Sequence, residues 1–460
     1  MLTKNQFCDI EITGLTSDGL GVGKYDGFPI FVKGTAPGDA ITVKIIKAKR
    51  GYAYGKIECF AKRSVTRVEP VCAVFGKCGG CSLQHMEYSA QLSAKKSKLE
   101  DCLRRIGGFA DTQVDEVIGA RNPFRYRNKS VFPVGKDANG RVVCGLYAAN
   151  SHSLIPVEDC HIAHIGVAAV LRAFEIFMNA NNISVYDEQT NRGLVRHIMV
   201  RTAFTTRQVM VVVVINGDTL PQAEKFVEVL QDIAGMTSVC LSINREKTNV
   251  IMGQEMRVIW REPSIKEILC GNMFEISAPS FFQVNPEMTE ILYSKVLELA
   301  DIQLHETVID AYCGIGTISL VAARHAKRVI GVEVVQAAID DARVNAKLNG
   351  VENAEFIAGK TEEVLAELLE GDIKPDVVIL DPPRKGCEPS VVEALRKNGT
   401  DRMVYVSCDP ATLARDLKLL CAGNLYKVEK VVVVDTFPQT MHVESVVLLS
   451  RTAGCNKNLG

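Results

Sequence analysis

At 460 residues the chain is too long for one hydrophobic core, so roughly two to four domains are expected. Charged residues make up 23% and hydrophobic residues 47%, as in ordinary globular proteins, and a net charge of −1 excludes a uniformly basic or acidic binder. The opening MLTKNQFCDI lacks the apolar core of an export signal, and no apolar run approaches the ~18 residues that span a bilayer. A cytoplasmic protein without membrane contact is expected, its 15 cysteines serving as reduced thiols, metal ligands or a nucleophile rather than a disulfide framework.

Residues 1–64 alternate short apolar runs with the Gly-rich turns SDG, YDG and APGD, which predicts a small five-stranded OB-like barrel. Residues 1–67 hold 11 Lys and Arg against 6 Asp and Glu, a balance suited to phosphate. The stretch resembles the TRAM domain, an RNA-binding module, by pattern more than by any single residue.

Residues 65–270 form a mixed central domain. LQHMEYSAQLSAKKSKLEDCLRRIG (83–107) has helical periodicity ending at Gly107-Gly108 and could pack on either neighbour. Strand-like runs then dominate, including KSVFPVG, HIMVRTAF and the continuous VMVVVVI at 209–215. RNPFRYRNKS (121–130) interleaves Arg121, Arg125, Arg127 and Lys129 with Phe124 and Tyr126, so Arg125, Arg127 and Lys129 are expected to contact RNA phosphates. Taken alone, either basic patch is more simply a solvated face.

Residues 271–460 alternate strand and helix and end in two strands joined by a Pro-containing turn. This predicts a doubly wound, mostly parallel sheet with a terminal β-hairpin, the Rossmann-like arrangement of S-adenosylmethionine (SAM) methyltransferases. In VIDAYCGIGTISL (308–320) a strand ends at Asp310, and Gly314 and Gly316 permit close approach of a ligand. Glu333, 19 residues beyond Gly314, is placed to accept two ribose hydroxyls. A dinucleotide would want a third glycine where Ser319 stands, and a carboxylate at Asp310 repels phosphate but suits an ammonium group. The pocket therefore reads as one for SAM.

DVVILDPPRKG (376–386) carries Asp381-Pro382-Pro383 at the mouth of a strand, the prolines stiffening the turn. Amino-methyltransferases share Asp-Pro-Pro but place an aromatic next, whereas Arg384 follows here. MVYVSCDPATLARD (403–416) puts Cys408 just beyond a strand's carboxyl end, where ligands of α/β sheets bind. Most cysteines are small buried hydrophobes. A thiolate at this place could instead add to C6 of a pyrimidine, turning C5 into a carbon nucleophile, with a base then removing the C5 proton. Glu444 in MHVESVVLL is the base candidate, because a carboxylate beside that apolar run needs a task or a partner. Cys387, after the Asp-Pro-Pro-Arg loop, is the rival nucleophile; it and Cys313 otherwise read as packing.

APSFFQVNP (278–286), DAYCGIGT, GVE, LDPPRKG, VSCDPATLARD and TFPQTMHVESV occur in an order that resembles the RNA 5-methyluridine methyltransferase family nearly end to end. The resemblance implies Cys408 as nucleophile, Glu444 as proton acceptor, and Gln283, Tyr312, Glu333 and Asp381 as SAM- and site-binding positions. Cys72, Cys78 and Cys81 in VCAVFGKCGGC, with Cys160 in PVEDCHI, could bind zinc, and Cys78-Gly-Gly-Cys81 could be a redox pair. Family members with this pattern hold a [4Fe–4S] cluster, which the resemblance implies here in a structural role. A TRAM-like barrel with four cysteines further resembles the 23S ribosomal RNA branch. A transfer RNA substrate and a non-catalytic RNA- or ribosome-binding protein are the alternatives, and no obligate protein partner is implied. A radical-SAM methylthiotransferase would need a C-x3-C-x2-C loop that this chain lacks.

Overall fold

The computed structural model describes residues 2–149, 151–371 and 373–452. Strands Phe7–Leu15, Gly21–Tyr25, Phe28–Val32, Ala40–Ala48 and Ala53–Lys62 close into a barrel in which the third strand pairs with the fifth. Alternate residues, among them Ile10, Ile12, Ile30, Val32, Ile41 and Val43, fill its interior. Closure demands glycine at two places. A Cβ on Gly21 would lie 1.8 Å from Thr35 Oγ1, and one on Gly55 would lie 2.1 Å from Val43 Cγ2.

A seven-stranded sheet follows, built on Lys129–Lys136, Val195–Thr202, Val209–Ile215 and Met236–Ile243. Helices Val167–Ala180 and Ala223–Gln231 cover one face through Phe174, Phe177 and Phe226. Met199, Met210, Val212 and Cys240 on the other face join a core with Ile265, Phe274, Phe282 and Leu292. Burial on both faces is why Val209–Ile215 is apolar without alternation.

The C-terminal sheet has five parallel strands, in the order Ala354–Ala358, Arg328–Glu333, Thr307–Ala311, Val377–Leu380, Arg402–Ser407, and then the antiparallel hairpin Glu444–Arg451 and Tyr426–Val434. The expected Rossmann-like methyltransferase architecture is present. An eighth strand, Glu116–Ile118, lies parallel on the edge strand Tyr426–Val434 and comes from far upstream. Three residues of pairing give no sequence signal of their own. Among the described residues no helix is long and apolar enough to cross a membrane.

Helix Tyr88–Cys102 packs toward this C-terminal unit, where Leu99 and Leu103 enter its core. It buries Gln91, Lys95 and Leu99, so its inward stripe is largely polar. A wider turn, Leu103–Gly107, continues it, and Gly108 stops it at φ +79°. The polar stripe holds segment 435–443, the loop of the terminal hairpin. Lys95 pairs with Asp435, both side chains fully buried, and donates to the Phe437 carbonyl at 3.0 Å. Tyr88 donates its hydroxyl to Asp435 at 2.9 Å, and the Gln91 amide bonds both the backbone N–H and the side chain of Gln439 at 3.0 Å. Removing one member of a buried ion pair leaves the other uncompensated. Lys95→Met is therefore expected to lower stability by about 3–5 kcal/mol in urea unfolding. Joining it to Asp435→Leu should restore part of the loss; a single-variant loss under about 1 kcal/mol, the scale of an exposed pair, would contradict this view of the segment.

Candidate functional site

Residues expected to act together arrive from five strand ends and one loop. Antiparallel pairing places Ser407 opposite Ser445, so Cys408 and Glu444, the next residues outward, leave the sheet side by side. Asp409 caps the following helix, Pro410–Leu420, by accepting from the backbone N–H groups of Ala411 and Thr412 at 2.9 and 3.1 Å. That cap fixes the turn on which the half-buried Cys408 sits.

Charge in this cleft is unbalanced. Burial pushes the Cys408 thiol up to about 11, with Glu444 and Asp381 adding to the rise and Arg384 opposing it. Glu444, only 4% exposed, is held well above the usual carboxylate range by burial and then by Asp381, again opposed by Arg384. Asp381 is raised to about 7 by burial and by Asp310. Cys408, Glu444 and the Asp-Pro-Pro loop thus share one electrostatic neighbourhood, in which Arg384 is the cation opposing the rise of both titratable groups. Cys387 is placed otherwise. It is 5% exposed, its Sγ lies 3.6 Å from the Tyr405 hydroxyl, and its N–H donates to Asp416 at 2.8 Å. Burial raises its thiol to about 12 in what is a core position.

The Gly-rich turn adjoins this neighbourhood. Asp310 is fully buried and raised to about 6 by desolvation; it accepts from Ser319 Oγ at 2.5 Å while its other oxygen has no partner. Tyr312 takes a left-handed φ of +73°, an uncommon strain for a non-glycine residue at the mouth of a strand. Gly314 (φ +55°) has open space where a Cβ would stand, whereas Gly316 (φ +82°) packs against Phe356 and Ala342. Glu333 accepts from the N–H groups of Gly314 at 3.3 Å and Val335 at 3.0 Å, linking strand tip to loop. Gln283 lies in a segment pinned at both ends: Asn128 donates to the Gln283 carbonyl at 2.8 Å, and Asn285 caps helix Pro286–Ala300 and donates to Thr436 at 3.1 Å.

The basic residues divide. Arg125 is engaged by Asp159 through two bonds of 2.6 and 2.7 Å and by the Cys160 carbonyl at 3.1 Å, so it braces a loop rather than standing free for phosphate. Lys129 is depressed to about 8 by burial and then by Arg201 and Arg127, with no carboxylate among the causes. Arg201 is 1% exposed, donates to the Ser280 carbonyl at 2.7 Å, and leaves Nε and Nη1 unpartnered. His442 is depressed by burial and then by Arg384, Lys98, Lys95 and Arg127. Arg201, Arg384 and Lys98, the cations of this neighbourhood, and His442 beside them, are not singled out as such by the sequence. Arg201 did carry a signal, as a charge following the apolar run Ile198–Val200 within its strand.

Cys72, Cys78, Cys81 and Cys160 line one small, mostly apolar cavity with Phe75, Leu146 and Ile162. Burial raises Cys78, Cys81 (to about 12) and Cys160, and each also feels the charge of other members of the set. Gly80 N–H donates to Cys78 Sγ at 3.3 Å. Among the described residues no three His, Cys, Asp or Glu side chains group closely enough to hold a metal ion, so the expected metal site is not present as a single-ion site. This set touches the cleft around Cys408 and Glu444 indirectly. Ser82 and Leu83, beside Cys81, both donate to the Gln439 carbonyl at 3.0 Å, and Tyr126 donates to that of Pro438 at 3.1 Å.

The family model described as tRNA (Uracil-5-)-methyltransferase matches residues 87–452, and that of the TRAM domain matches residues 2–57. Proteins described as uncharacterized RNA methyltransferases in Clostridium tetani and Listeria monocytogenes are each 46% identical, the alignments spanning 97% and 98% of both chains, respectively. The crystal structure of Pyrococcus abyssi tRNA (uracil-54, C5)-methyltransferase in complex with S-adenosyl-L-homocysteine aligns with a TM-score of 0.78 at 30% identity, covering 96% of this chain and 100% of that one. Matched along nearly its whole length, the chain belongs to the tRNA (uracil-5-)-methyltransferase family and carries a TRAM domain at its N-terminal end.

Proposed function

We propose that this protein methylates C5 of uridine in RNA, with Cys408 as nucleophile and Glu444 as base. The observation carrying this reading is the pairing of Ser407 with Ser445, which sets thiol and carboxylate at neighbouring strand ends beside the Asp381–Arg384 loop. SAM, when bound, supplies the methyl group and a positive sulfonium. The open face of Gly314, the unpartnered Asp310 oxygen, Glu333 and Gln283 fit such a donor, with Asp310 and Asp381 favouring cationic groups. Cys408 Sγ forms a bond to uracil C6, the ring electrons move onto O4, and C5 becomes the carbon that accepts a methyl group. Glu444 then takes the C5 proton, and the returning electron pair breaks the S–C6 bond and frees the thiolate. Arg384 favours the ionised forms of both Cys408 and Glu444, the forms these steps require.

Reaching C5 requires an unstacked uridine, so an unpaired or refolded RNA segment is the substrate. Arg127 and Lys129, with the buried Arg201 behind Lys129, supply positive charge that suits its phosphates. Phe31, Tyr52 and Tyr54, with ring centroids 5.5–5.9 Å apart on the barrel, offer stacking surfaces. We assign the RNA as 23S ribosomal RNA, on the combination of TRAM barrel and four-cysteine set. The likeness to the Pyrococcus abyssi enzyme keeps transfer RNA as the second reading. Mapping 5-methyluridine in both RNA pools from cells lacking the protein decides between them.

The four cysteines fit a [4Fe–4S] cluster better than zinc. Zinc draws four sulfurs to about 2.3 Å from one ion, whereas a cluster spaces its ligands around a larger body. Cys72, Cys78, Cys81 and Cys160 would hold it, stapling the segment that braces Gln439 and Pro438. Protein purified without oxygen is expected to contain iron and sulfide, and Cys81→Ser to lose both; zinc alone in the native protein would refute the cluster.

Two further outcomes test the chemistry. With 5-fluorouridine RNA and SAM the reaction should stall as a covalent protein–RNA adduct, because fluorine cannot leave as a proton. Cys408→Ala should form none, and an undiminished adduct there would end the proposal. In the free protein the Cys408 thiol is raised to about 11, leaving about one in a thousand ionised at pH 8. Arg384→Ala removes the cation opposing that rise, so alkylation of Cys408 by iodoacetamide should slow several-fold and its pH midpoint should move upward. A faster or unchanged rate would show that Arg384 does not bear on the thiol.

A further inference from the structure

Outside the reactive cleft lies a second opening of about 410 Å³, between the foot of the barrel and the segment carrying the first cysteines. Its walls include Arg63, Arg67, Glu69, Phe75 and His85. His85 is 3% exposed, and its Nε2 lies 3.0 Å from the Thr35 carbonyl. A carbonyl only accepts, so Nε2 carries the hydrogen and Nδ1 is left as an acceptor. That Nδ1 is buried with no hydrogen-bond partner, a costly arrangement unless a donor arrives. Burial and the neighbouring Arg67 hold the ring neutral, which preserves the lone pair.

The surrounding groups narrow the class of donor. The Phe75 ring lies 5.5 Å from His85 and lines both this opening and the cysteine cavity. Arg67 is fixed by Asp39, through bonds of 2.8 Å from Nε and Nη2, and by the Gly34 carbonyl at 2.6 Å. Arg63 is exposed and stacked on Phe60, 4.8 Å from the ring centroid, which leaves its charge at the rim. Glu69 adds a second acceptor. An aromatic surface, two acceptors and a rim cation match one nucleotide: a base bearing an amino group, with its phosphate outside.

We propose that this opening is a second nucleotide pocket, which takes an unpaired, amino-bearing base of the bound RNA away from the uridine that reacts. It rests on the RNA-methylating function proposed above. The base stacks on Phe75 and donates to His85 Nδ1, and Arg63 meets its phosphate. Held there, a strand would be anchored on the barrel side while the target uridine enters the cleft.

The test uses the full chain saturated with S-adenosyl-L-homocysteine, to close the donor pocket, and titrates AMP, GMP and CMP by ligand-observed NMR. At least one should bind, and Phe75→Ala and Arg63→Ala should each weaken the tightest by about fivefold or more, since stacking on one aromatic is worth about 1–3 kcal/mol per base. Arg63→Ala, which touches no part of the cysteine cavity, should raise KM for substrate RNA with kcat unchanged and reduce the salt slope of RNA binding by about one. Absence of binding by all three nucleotides, or nucleotide binding unaltered in both variants with KM unaltered in Arg63→Ala, would overturn the pocket. Wild-type protein that makes no 5-methyluridine in any RNA would instead overturn the function proposed above, whatever the nucleotides do.

Discussion

Segment 435–443 is the place where the whole molecule is tied. Its anchor is the buried pair of Lys95 and Asp435, two opposite charges withdrawn from water and satisfied by each other, by Tyr88 and by the Phe437 carbonyl. An isolated charge could not remain there, so the pair fixes helix and loop together. Other bonds reach the same nine residues from the segment after Cys81, from Tyr126 and from Asn285. Lys98 adds another, donating to the Met441 carbonyl at 2.9 Å and to the barrel's Ser17 carbonyl at 3.2 Å. Barrel, central unit and C-terminal sheet all meet at the loop that ends in Glu444. The position of a buried carboxylate is thereby set from several sides.

The same logic accounts for the charge pattern of the cleft. Three acids, Asp310, Asp381 and Glu444, are raised by burial and by neighbouring carboxylates, with Arg384 opposing the rise at Glu444, while Arg127, Lys129 and Arg201 form a separate group of cations. Neither group is internally neutral. Acids without enough cations and cations without enough acids are stable neighbours for ligands of opposite sign, a sulfonium and ammonium on one side and a phosphate chain on the other.

Much of this was legible in the sequence, for identifiable reasons. The barrel and the Rossmann-like sheet announced themselves through period-two runs and strand–helix alternation, and the terminal hairpin through its Pro-containing turn. Cys408 could be singled out because its place beyond a strand end is independent of long-range contacts. What escaped depends on partners hundreds of residues away. The inward stripe of helix Tyr88–Cys102 is Gln91, Lys95 and Leu99, which no apolar-periodicity rule reads as a buried face. Strand Glu116–Ile118 exists only because the edge of Tyr426–Val434 is there to pair with. Arg125 looked free in the sequence but is spent on Asp159, a partner that spacing alone does not reveal.

The sequence distance across the Lys95–Asp435 pair, 340 residues, has a consequence for how the protein is made. At about 5–20 residues per second, helix Tyr88–Cys102 leaves the ribosome on the order of half a minute before its counter-charge exists. During that interval an ammonium meant for the interior stays in water, and helix Tyr88–Cys102 lacks the loop its polar stripe holds. Assembly of the cleft around Cys408 and Glu444 is thus deferred until the strands that carry these residues have emerged.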